Sequence, residues 1–379
     1  MRIFFSSGEA SGDAVSASLI FHLKKNALSQ GIELSFEGIG GQKFAAAGAE
    51  MIANSLSWGV IGIVQAAKVI PKVLLGSYKA KKALGSGKPG LFIPIDFGFL
   101  NIRLAKWAKD HGWKVLYFTP PGNWRKDRQG VDLPLVADAI VTPFSWSADI
   151  LNQMGAKAYW FGHYLKQMLM EASPENQIKR SPNRIAFLPG SRLHEIHHNL
   201  DPVGELFGSG FLKEIEFGVA STMTPQELKS KWDHLVTAER HLLAEKTIFT
   251  QNDTYGVLQR ASAAVICSGT ATLEAALCKC PTVVVYRGSK MMELEYKVLR
   301  PKIKYISLPN ILLDRPVFPE LIQWDATPEK IKDSLLPLLE DTSERRVQIQ
   351  AFEELDELLG GDQALTKTAV LALEMLKSK

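Results

Sequence analysis

The chain contains few cysteines, no long apolar run and little excess of charge. Its 379 residues include three cysteines, Cys267, Cys278 and Cys280. This odd and sparse set excludes a disulfide framework and predicts reduced thiols in a cytoplasmic protein. The apolar start of the chain turns polar by Ser6, too early for a signal peptide, and no apolar run reaches membrane-spanning length. A net charge of only +4 argues against a dedicated nucleic-acid-binding protein.

Acidic residues are absent from one long segment. No Asp or Glu occurs from Met51 to Ile95, whereas six lysines do: Lys68, Lys72, Lys79, Lys81, Lys82 and Lys88. An apolar stretch with a tryptophan, Trp58 to Ile70, precedes and overlaps them. Apolar side chains beside lysines without acids fit a surface that docks on anionic lipid headgroups. A core helix followed by a solvated lysine face is the alternative. We expect residues 51–88 to face a membrane.

Short apolar runs alternate with helix-like stretches, which is typical of parallel sheets with crossover helices. A polar, Pro-containing stretch at residues 171–183 separates two series of predicted strands. The first is Arg2–Phe5, Ser35–Ile39, Leu91–Ile95, Lys114–Phe118, Ala139–Thr142 and Ala158–Phe161; the second is Arg184–Leu188, Glu216–Ala220, Lys246–Phe249, Ala263–Cys267 and Thr282–Tyr286. The pattern predicts an α/β fold with two Rossmann-like domains facing a cleft, residues 1–170 and 183–342. Helices at 343–379 would pack back towards the N-terminal half.

The most informative motif begins where the apolar run Ala263–Ile266 turns through glycine into a helix-forming series. The unpaired N–H groups at such a helix start form an anion site. Gly269 would let a phosphate approach the backbone, and three hydroxyls could donate to it: Ser268, Thr270 and Thr272. Glu274, about one turn into the helix, could accept hydrogen bonds from a ribose diol. A capped helix after a buried strand is the alternative.

Two further segments of the second half predict contacts to a nucleotide. Gly190, Ser191 and Arg192 follow a predicted strand, and the planar guanidinium can hold phosphate oxygens bidentately. A surface ion pair is the alternative for the arginine. Asn310 follows Pro309 and could hydrogen-bond a base or a phosphate, or could be a turn residue.

The loop after the first strand is polar and rich in small residues. It reads Ser7-Gly8-Glu9-Ala10-Ser11-Gly12-Asp13. It lacks the dinucleotide fingerprint, and its two acids would repel a pyrophosphate. The loop suits a sugar, with Ser11 and Gly12 in contact with substrate and Glu9 and Asp13 as candidate catalytic residues. Asp13 could equally cap a helix.

His194-Glu195-Ile196-His197-His198 satisfies the zinc-protease pattern H-E-x-x-H. A zinc site also needs a third ligand and an established helix. Here the pattern starts two residues after the predicted phosphate loop and is followed by Asp201-Pro202. Exposed histidines are the favoured interpretation and a zinc hydrolase the less favoured alternative. We predict no metal and no cofactor.

Taken together, these motifs resemble the lipid-A-disaccharide synthase family of inverting glycosyltransferases. The resemblance runs from residue 1 to about 325, in the family's order, and is carried by Gly8–Asp13, Gly38–Gly41, Phe161–His163, Pro189–Arg192 with Glu195-Ile196, Ser268–Leu277 and Ile306–Asn310. It implies a GT-B fold, a UDP-2,3-diacylglucosamine donor and a 2,3-diacylglucosamine 1-phosphate acceptor (lipid X). The products would be lipid A disaccharide 1-phosphate and UDP. It also implies a peripheral site on the cytoplasmic face of the inner membrane, and it allows a homodimer.

The chain departs from this family in two segments of its N-terminal half. One, with the family pattern Ser-x-x-Trp-x-Trp-Arg, survives only partly, as Pro121-Gly122-Asn123-Trp124-Arg125. The other carries the family's catalytic acid. The family pattern Ile-Asp-x-Pro-Asp-Phe-Asn carries the favoured general base at its second Asp, whereas this chain has Phe99 there, in Ile95-Asp96-Phe97-Gly98-Phe99-Leu100-Asn101. Asp96 becomes the first candidate for the base, followed by Glu9, Asp13 and His163. The alternatives are a diverged homologue with another glycolipid acceptor or with weak or no turnover, and a UDP-sugar epimerase.

Overall fold

A computed structural model of the chain describes residues 1–59, 63–172, 179–209, 211, 214–235, 247–288 and 304–378; for residues 63–67 it describes the backbone alone. The chain divides into two compact units. The first comprises Met1–Met168 and Leu359–Lys379, and the second comprises Leu169–Leu358.

The first unit is built on a parallel sheet with the strand order β3-β2-β1-β4-β5-β6-β7. Its strands are β1 Arg2–Ser7, β2 Ser35–Gly40, β3 Glu50–Asn54, β4 Leu91–Ile95, β5 Lys114–Phe118, β6 Ala139–Val141 and β7 Ala158–Tyr159. Its helices are α1 Ala10–Leu28, α2 Gln42–Ala46, α3 Ile63–Leu84, α4 Gly98–Asp110, α5 Leu133–Val136, α6 Ser145–Gln153 and α15 Ala364–Lys377, while α7 Tyr164–Ala172 crosses into the second unit.

Helices cover both faces of this sheet, and the apolar strands reflect that burial. Ile3 and Phe5 belong to a cluster with side chains of α1 and α15. Phe4, which points to the opposite face, packs with side chains of α3 and α4. The near-continuous apolar runs of β1 and β4 are therefore those of central parallel strands.

The second unit has a six-stranded parallel sheet with the order β10-β9-β8-β11-β12-β13. Its strands are β8 Ser181–Leu188, β9 Glu214–Val219, β10 Thr247–Gln251, β11 Ala261–Cys267, β12 Thr282–Tyr286 and β13 Glu320–Ile322. Its helices are α8 Leu193–Gly208, α9 Pro225–Leu235, α10 Thr254–Arg260, α11 Thr270–Leu277, α12 Leu308–Leu313, α13 Pro328–Leu335 and α14 Ser343–Leu358, with 3₁₀ turns at Gln323–Asp325 and Leu336–Leu339. The three cysteines are free and buried here.

The predicted α/β fold with two Rossmann-like parallel sheets is confirmed, with differences at its edges. The edge strands β3 and β13 were not predicted, because they are short and without fully buried residues. Strand β8 begins at Ser181, so the end of the predicted separating stretch is strand. Residues 173–178 of that stretch, and Lys246 at the start of a predicted strand, lie outside the described residues.

The two tail helices belong to different units. Helix α14 lies in the second unit, where Phe352 packs edge-on against Phe318 at a centroid distance of 5.8 Å. Helix α15 lies in the first, where Leu365 and Leu373 join the cluster that includes Leu19 of α1. Of the tail, α15 is the helix that packs back on the N-terminal unit.

Each sheet has one point where the strand order reverses. In the first unit it lies between β1 and β4, and in the second between β8 and β11. The connections leave these strand pairs in opposite directions, which opens a crevice at their carboxyl ends. The loops after β1, β4, β8 and β11 are therefore where ligands are expected.

Candidate functional site

In the first unit, the reversal point brings the Glu9 and Asp96 loops together. Ser7, at the end of β1, is paired with Ile95 at the end of β4. Glu9 occupies the N-cap position of α1, and Asp96 follows β4 directly. Two of the predicted catalytic carboxylates thus lie at adjacent strand ends.

The backbone around Asp96 is strained. Asp96 and Phe97 both have left-handed conformations, with φ of 45° and 46°, and so does Thr119 with φ of 50° at the end of the neighbouring β5. Such conformations are uncommon outside glycine and cost about 1–3 kcal/mol each. The Asp96 N–H donates to the carbonyl of Thr119 at 3.2 Å. The strain is concentrated at the edge that carries the candidate site.

Asn101 holds this strained turn in place. Its buried amide donates to the carbonyls of Ser6 and Asp96 at 3.0 and 2.9 Å, and its oxygen accepts the Ser6 hydroxyl at 2.6 Å. The Tyr117 hydroxyl also donates to the Asp96 carbonyl, at 2.9 Å. The main chain of Asp96 is therefore fixed from two sides.

Gly8 makes room for the next residue of the turn. A Cβ atom on Gly8 would lie 2.1 Å from Cγ of Phe97, so only glycine fits beside that ring. The Phe97 ring in turn lies 6.1 Å from the ring of Trp58. Gly8 thus allows the first loop and the Asp96 turn to approach each other closely.

The Asp96 carboxyl has an unusual acidity. Loss of surrounding water, followed by the negative charge of Glu9, raises the pKa of Asp96 from 3.8 to about 6, against an opposing hydrogen bond from the Phe97 backbone. The residue as a whole is exposed at the surface of the turn. A carboxylate with a pKa near neutrality is suited to accept a proton from a substrate hydroxyl.

Asp13 has a structural task, which corrects its assignment as a catalytic residue. Its carboxylate is fully buried and accepts the backbone N–H groups of Gly41, Lys43 and Phe44 at 2.7, 3.0 and 2.9 Å. It therefore caps the start of α2, which has no cap of its own. A carboxylate engaged in this way has no access to an acceptor hydroxyl.

The other residues of the first loop differ in accessibility. Glu9 is half-buried, and its carboxyl carbon is close to Gly59. Ser11 is exposed in the first turn of α1, where substrate contact stays a prediction. Gly12 is buried, and a Cβ there would lie 2.9 Å from Cβ of Ser7, so it serves close packing of helix on strand.

His163 is removed from the list of candidate bases. Burial lowers its pKa to about 3, so the ring is neutral at physiological pH. Its Nδ1 accepts the backbone N–H of Leu165, and its ring stacks on Tyr164 at 4.6 Å. A buried ring in these contacts cannot reach a substrate hydroxyl.

In the second unit, the loop after β8 is organised by Glu195. The Arg192 guanidinium donates to the buried Glu195 carboxylate at 2.6 Å, and the same carboxylate accepts the Arg192 N–H at 3.3 Å. Gly190 has φ of 122°, and a Cβ there would lie 2.9 Å from the Glu195 carboxylate. The Ser191 carbonyl accepts the Thr222 hydroxyl at 2.6 Å. Arg192 is thus held at the reversal point by an ion pair.

The loop after β11 leads into α11 as predicted. Gly269 is exposed with φ of 150°, and a Cβ there would meet nothing within 4 Å, so the space above it is open. No side chain caps the start of α11. Thr270 and Glu274 are half-buried in the first two turns. Their contacts with a nucleotide, and those of the α11 backbone, stay predictions.

Two predicted hydroxyl donors are used within the protein. The Ser268 hydroxyl donates to the Ile306 carbonyl at 2.6 Å. The Thr272 hydroxyl donates to the Gly269 carbonyl at 2.8 Å and accepts the Leu308 N–H at 3.3 Å. Their main effect is to fasten the 306–308 segment to the start of α11.

Asn310 is likewise internal, which corrects its assignment as a base or phosphate ligand. Its amide donates to the Phe318 carbonyl and the Glu320 carboxylate, both at 2.9 Å, and accepts the N–H groups of Val317 and Phe318 at 2.8 Å. An asparagine side chain has two donors and two acceptor lone pairs. In this conformation none is left for a ligand.

Glu320 is the organising residue that the sequence did not reveal. Its carboxylate accepts the N–H groups of Ile306 and Ser307, the Ser307 hydroxyl and the Asn310 amide, at 2.6 to 3.0 Å. It lies on β13, the edge strand missed by the apolar pattern. It fixes the segment that Ser268 and Thr272 contact.

The H-E-x-x-H pattern does not form a metal site. Glu195, the acid of the pattern, is buried in its ion pair with Arg192. His197 Nε2 lies 3.0 Å from the Lys231 ammonium group, an unfavourable neighbour for a cation. Among the residues that the structure describes, no group of three or more His, Cys, Asp or Glu is placed to hold a metal ion.

Helix α3 presents an apolar stripe to solvent. Its exposed apolar side chains recur at helical spacing and are Ile70, Leu74, Leu75 and Tyr78, with the exposed lysines Lys68, Lys72, Lys79 and Lys82 around them. The opposite face packs into the unit through Val73, Ala80 and Leu84. None of the described helices has the length and apolarity to cross a membrane. Residues 60–62 of the predicted segment lie outside the described residues.

Two Rossmann-like parallel-sheet units with polar loops at their reversal points define the class of protein: an α/β protein of GT-B architecture. Solved structures with this fold include the glycotransferase of kitacinnamycin, with a TM-score of 0.61, 13% identity and coverage of 99% of this chain and 98% of that one. Another is the UDP-GlcNAc 2-epimerase of Methanocaldococcus jannaschii in complex with UDP-GlcNAc and UDP, with a TM-score of 0.56, 11% identity and coverage of 99% and 100%.

The chain belongs to the lipid-A-disaccharide synthetase family, whose model matches residues 3–373. It is 32% identical over 383 residues to a lipid-A-disaccharide synthase of Nitrosococcus oceani, covering 98% of this chain and 95% of that protein. It is 31% identical over 388 residues to one of Syntrophus aciditrophicus, covering 99% and 98%. The prediction of a hexosyltransferase of lipid A disaccharide synthesis is confirmed, and neither the epimerase nor the zinc hydrolase is favoured.

Proposed function

We propose that this chain transfers the diacylglucosaminyl group of UDP-2,3-diacylglucosamine to 2,3-diacylglucosamine 1-phosphate. The reaction is a single displacement with inversion at the anomeric carbon. The acceptor oxygen forms the new bond while the bond to UDP breaks on the opposite face. The observation that carries this proposal is the Asp96 carboxylate, held on a strained and fixed turn at the reversal point of the first sheet.

Asp96 is the general base of the proposal. A pKa of about 6 leaves the carboxylate mostly ionised at pH 7 while keeping its proton affinity well above that of an ordinary aspartate. Glu9 supports this by its charge. The acceptor hydroxyl proton passes to Asp96 as the oxygen attacks. General-base assistance of this kind contributes about 10²–10⁴ in rate.

The second unit supplies the donor contacts. The N–H groups at the start of α11 and the Arg192 guanidinium stabilise the diphosphate charge of departing UDP. The open space above Gly269 supports this placement, because a phosphate can approach the backbone there. Glu274 accepts from the ribose diol. Glu320 and Asn310 act indirectly, because they fix the 306–308 segment that contacts the start of α11.

Residues 51–88 form the contact with the cytoplasmic face of the inner membrane. The exposed stripe of α3, with lysines around it, supports this placement, since apolar side chains enter the headgroup region while lysines meet anionic lipids. Both substrates are acylated, so a site at a membrane surface gives access to them. A homodimer rests on the family resemblance alone.

The experiment is UDP release from UDP-2,3-diacylglucosamine with and without 2,3-diacylglucosamine 1-phosphate. We expect release that requires the acceptor, together with the disaccharide as product. Release without acceptor would support an epimerase. A protein that binds UDP but releases none from UDP-2,3-diacylglucosamine, even with acceptor present, would be a diverged homologue. Either of these two results would contradict the proposal.

A further inference from the structure

Two aromatic side chains of the first unit are exposed, and each has an arginine over its ring. Phe99 is 59% exposed and Trp124 is 42% exposed. The Arg103 guanidinium lies 4.7 Å from the Phe99 ring centroid, and the Arg125 guanidinium lies 5.7 Å from the Trp124 ring. These four residues are called the aromatic–arginine patch.

The patch borders the Asp96 turn. Phe99 lies in the first turn of α4, three residues after Asp96. A Cβ on Gly98 would lie 2.6 Å from Cγ of Pro121, so the start of α4 contacts the loop that carries Trp124. The Arg125 N–H donates to the Gly122 carbonyl and closes that loop into a tight turn. Both exposed rings are therefore on segments that meet beside the candidate base.

Basic side chains lie at both rings. Arg103 and Arg125 lie over them, and Lys126 follows Arg125 directly in the chain. Arg125 also meets Asp127 at 3.4 Å, in a pair with substantial exposure on both sides. Exposed pairs of this kind contribute little, so the guanidinium stays available to an anion. A planar guanidinium can hold phosphate oxygens bidentately.

We infer that the aromatic–arginine patch receives the acceptor, with acyl chains against Phe99 and Trp124 and the phosphate at Arg103 and Arg125. Isolated exposed apolar residues are ordinary, but two rings with cations beside a reactive carboxylate match an acylated sugar phosphate in both polarity and charge. The inference rests on the proposed function. It gives Phe99 a binding task at a position where the family carries a carboxylate.

The test measures KM and kcat of the full-length protein in mixed micelles, for acceptor and donor separately. Phe99→Ala and Trp124→Ala should each raise the acceptor KM about tenfold, because a ring that covers acyl chains is lost. The donor KM and kcat should stay within about twofold. Shorter acyl chains on the acceptor should reduce the effect. Phe21→Ala on α1 is the matched control, since Phe21 is 58% exposed, and should change nothing.

A second experiment tests whether Arg103 and Arg125 bind the phosphate of the acceptor. Arg103→Gln and Arg125→Gln should raise the KM of the phosphorylated acceptor and leave that of its dephosphorylated analogue unchanged. An equal effect on both acceptors would overturn the phosphate contact. Unchanged acceptor KM in the Phe99 and Trp124 variants, with reduced binding to anionic vesicles, would assign the patch to the membrane and overturn the inference.

Equilibrium binding of 2,3-diacylglucosamine 1-phosphate, by calorimetry in micelles, separates this inference from the proposed function. Weaker binding by Phe99→Ala than by wild type supports acceptor binding at the aromatic–arginine patch, even if no acceptor-dependent turnover is found. Equal binding by the two proteins overturns acceptor binding at the patch, even if turnover is confirmed.

Discussion

Replacing Glu9 by glutamine should shift the pH dependence of the reaction. Glu9 is the second-largest cause of the raised pKa of Asp96, after loss of water. Removing its charge while keeping its shape should lower that pKa from about 6 towards the ordinary value of 3.8. The acidic limb of kcat/KM reports this group in the free enzyme, so its midpoint should move to lower pH.

The sign follows from the ionised fraction of Asp96. With a pKa of about 6, roughly a tenth of Asp96 is ionised at pH 5, and a lower pKa leaves a larger fraction ionised. Glu9→Gln should therefore retain a larger share of its own maximal kcat/KM at pH 5 than wild type retains.

The assay is acceptor-dependent UDP release from pH 4.5 to 8.5 with subsaturating acceptor. Glu50→Gln is the control, because Glu50 is an exposed acid at the start of the edge strand β3, whereas Asp96 follows the end of the central strand β4. It should leave the midpoint at about 6. A Glu9→Gln midpoint equal to that of wild type, or displaced to higher pH, would refute the coupling between Glu9 and Asp96.

Three other variants test further parts of the proposed mechanism and membrane contact. Asp13→Asn should lower the free energy of unfolding in urea by about 1–3 kcal/mol by weakening three hydrogen bonds to a buried carboxylate. The kcat of the folded protein should stay within a few-fold of wild type, and inactivity at unchanged stability would restore Asp13 as catalytic. Asn101→Ala should lower kcat at least about tenfold with an unchanged donor KM, because the Asp96 turn loses its anchor; normal kcat would contradict this. Leu74→Asn with Leu75→Asn should reduce binding to anionic vesicles at least about tenfold but leave turnover in micelles unchanged, unlike Leu28→Asn on α1, which should bind vesicles as wild type does.

The strands could be predicted where a run of apolar residues reflects burial on both faces of the sheet. Central strands such as β4 and β11 are buried along their whole length, and their apolar runs predict them. The edge strands β3 and β13 pair on one side and carry half-exposed residues, so no local pattern marks them. The positions of the reversal points followed only once the strand order was known.

The candidate site could be predicted only in part, because a polar side chain does not reveal its partner. Asp13 and Asn310 have the chemistry of ligands, but backbone groups from other segments use their hydrogen-bonding capacity. The partners of Asp13 lie 28 to 31 residues away in sequence. The role of Glu320 could not be predicted from the sequence, because it depends on the contact of residues 306–307 with strand β13. Asp96 was found because Phe99 breaks the family pattern beside it.

The central claim is that Asp96 activates the acceptor hydroxyl, and the most direct measurement compares wild type with Asp96→Asn. Both proteins are assayed for UDP release from UDP-2,3-diacylglucosamine, with and without 2,3-diacylglucosamine 1-phosphate, after UDP binding has shown that the donor side is intact. The account predicts acceptor-dependent release by wild type and a loss of about 10²–10⁴ in kcat in the variant at unchanged UDP affinity. Acceptor-dependent release by Asp96→Asn at the wild-type rate would contradict it.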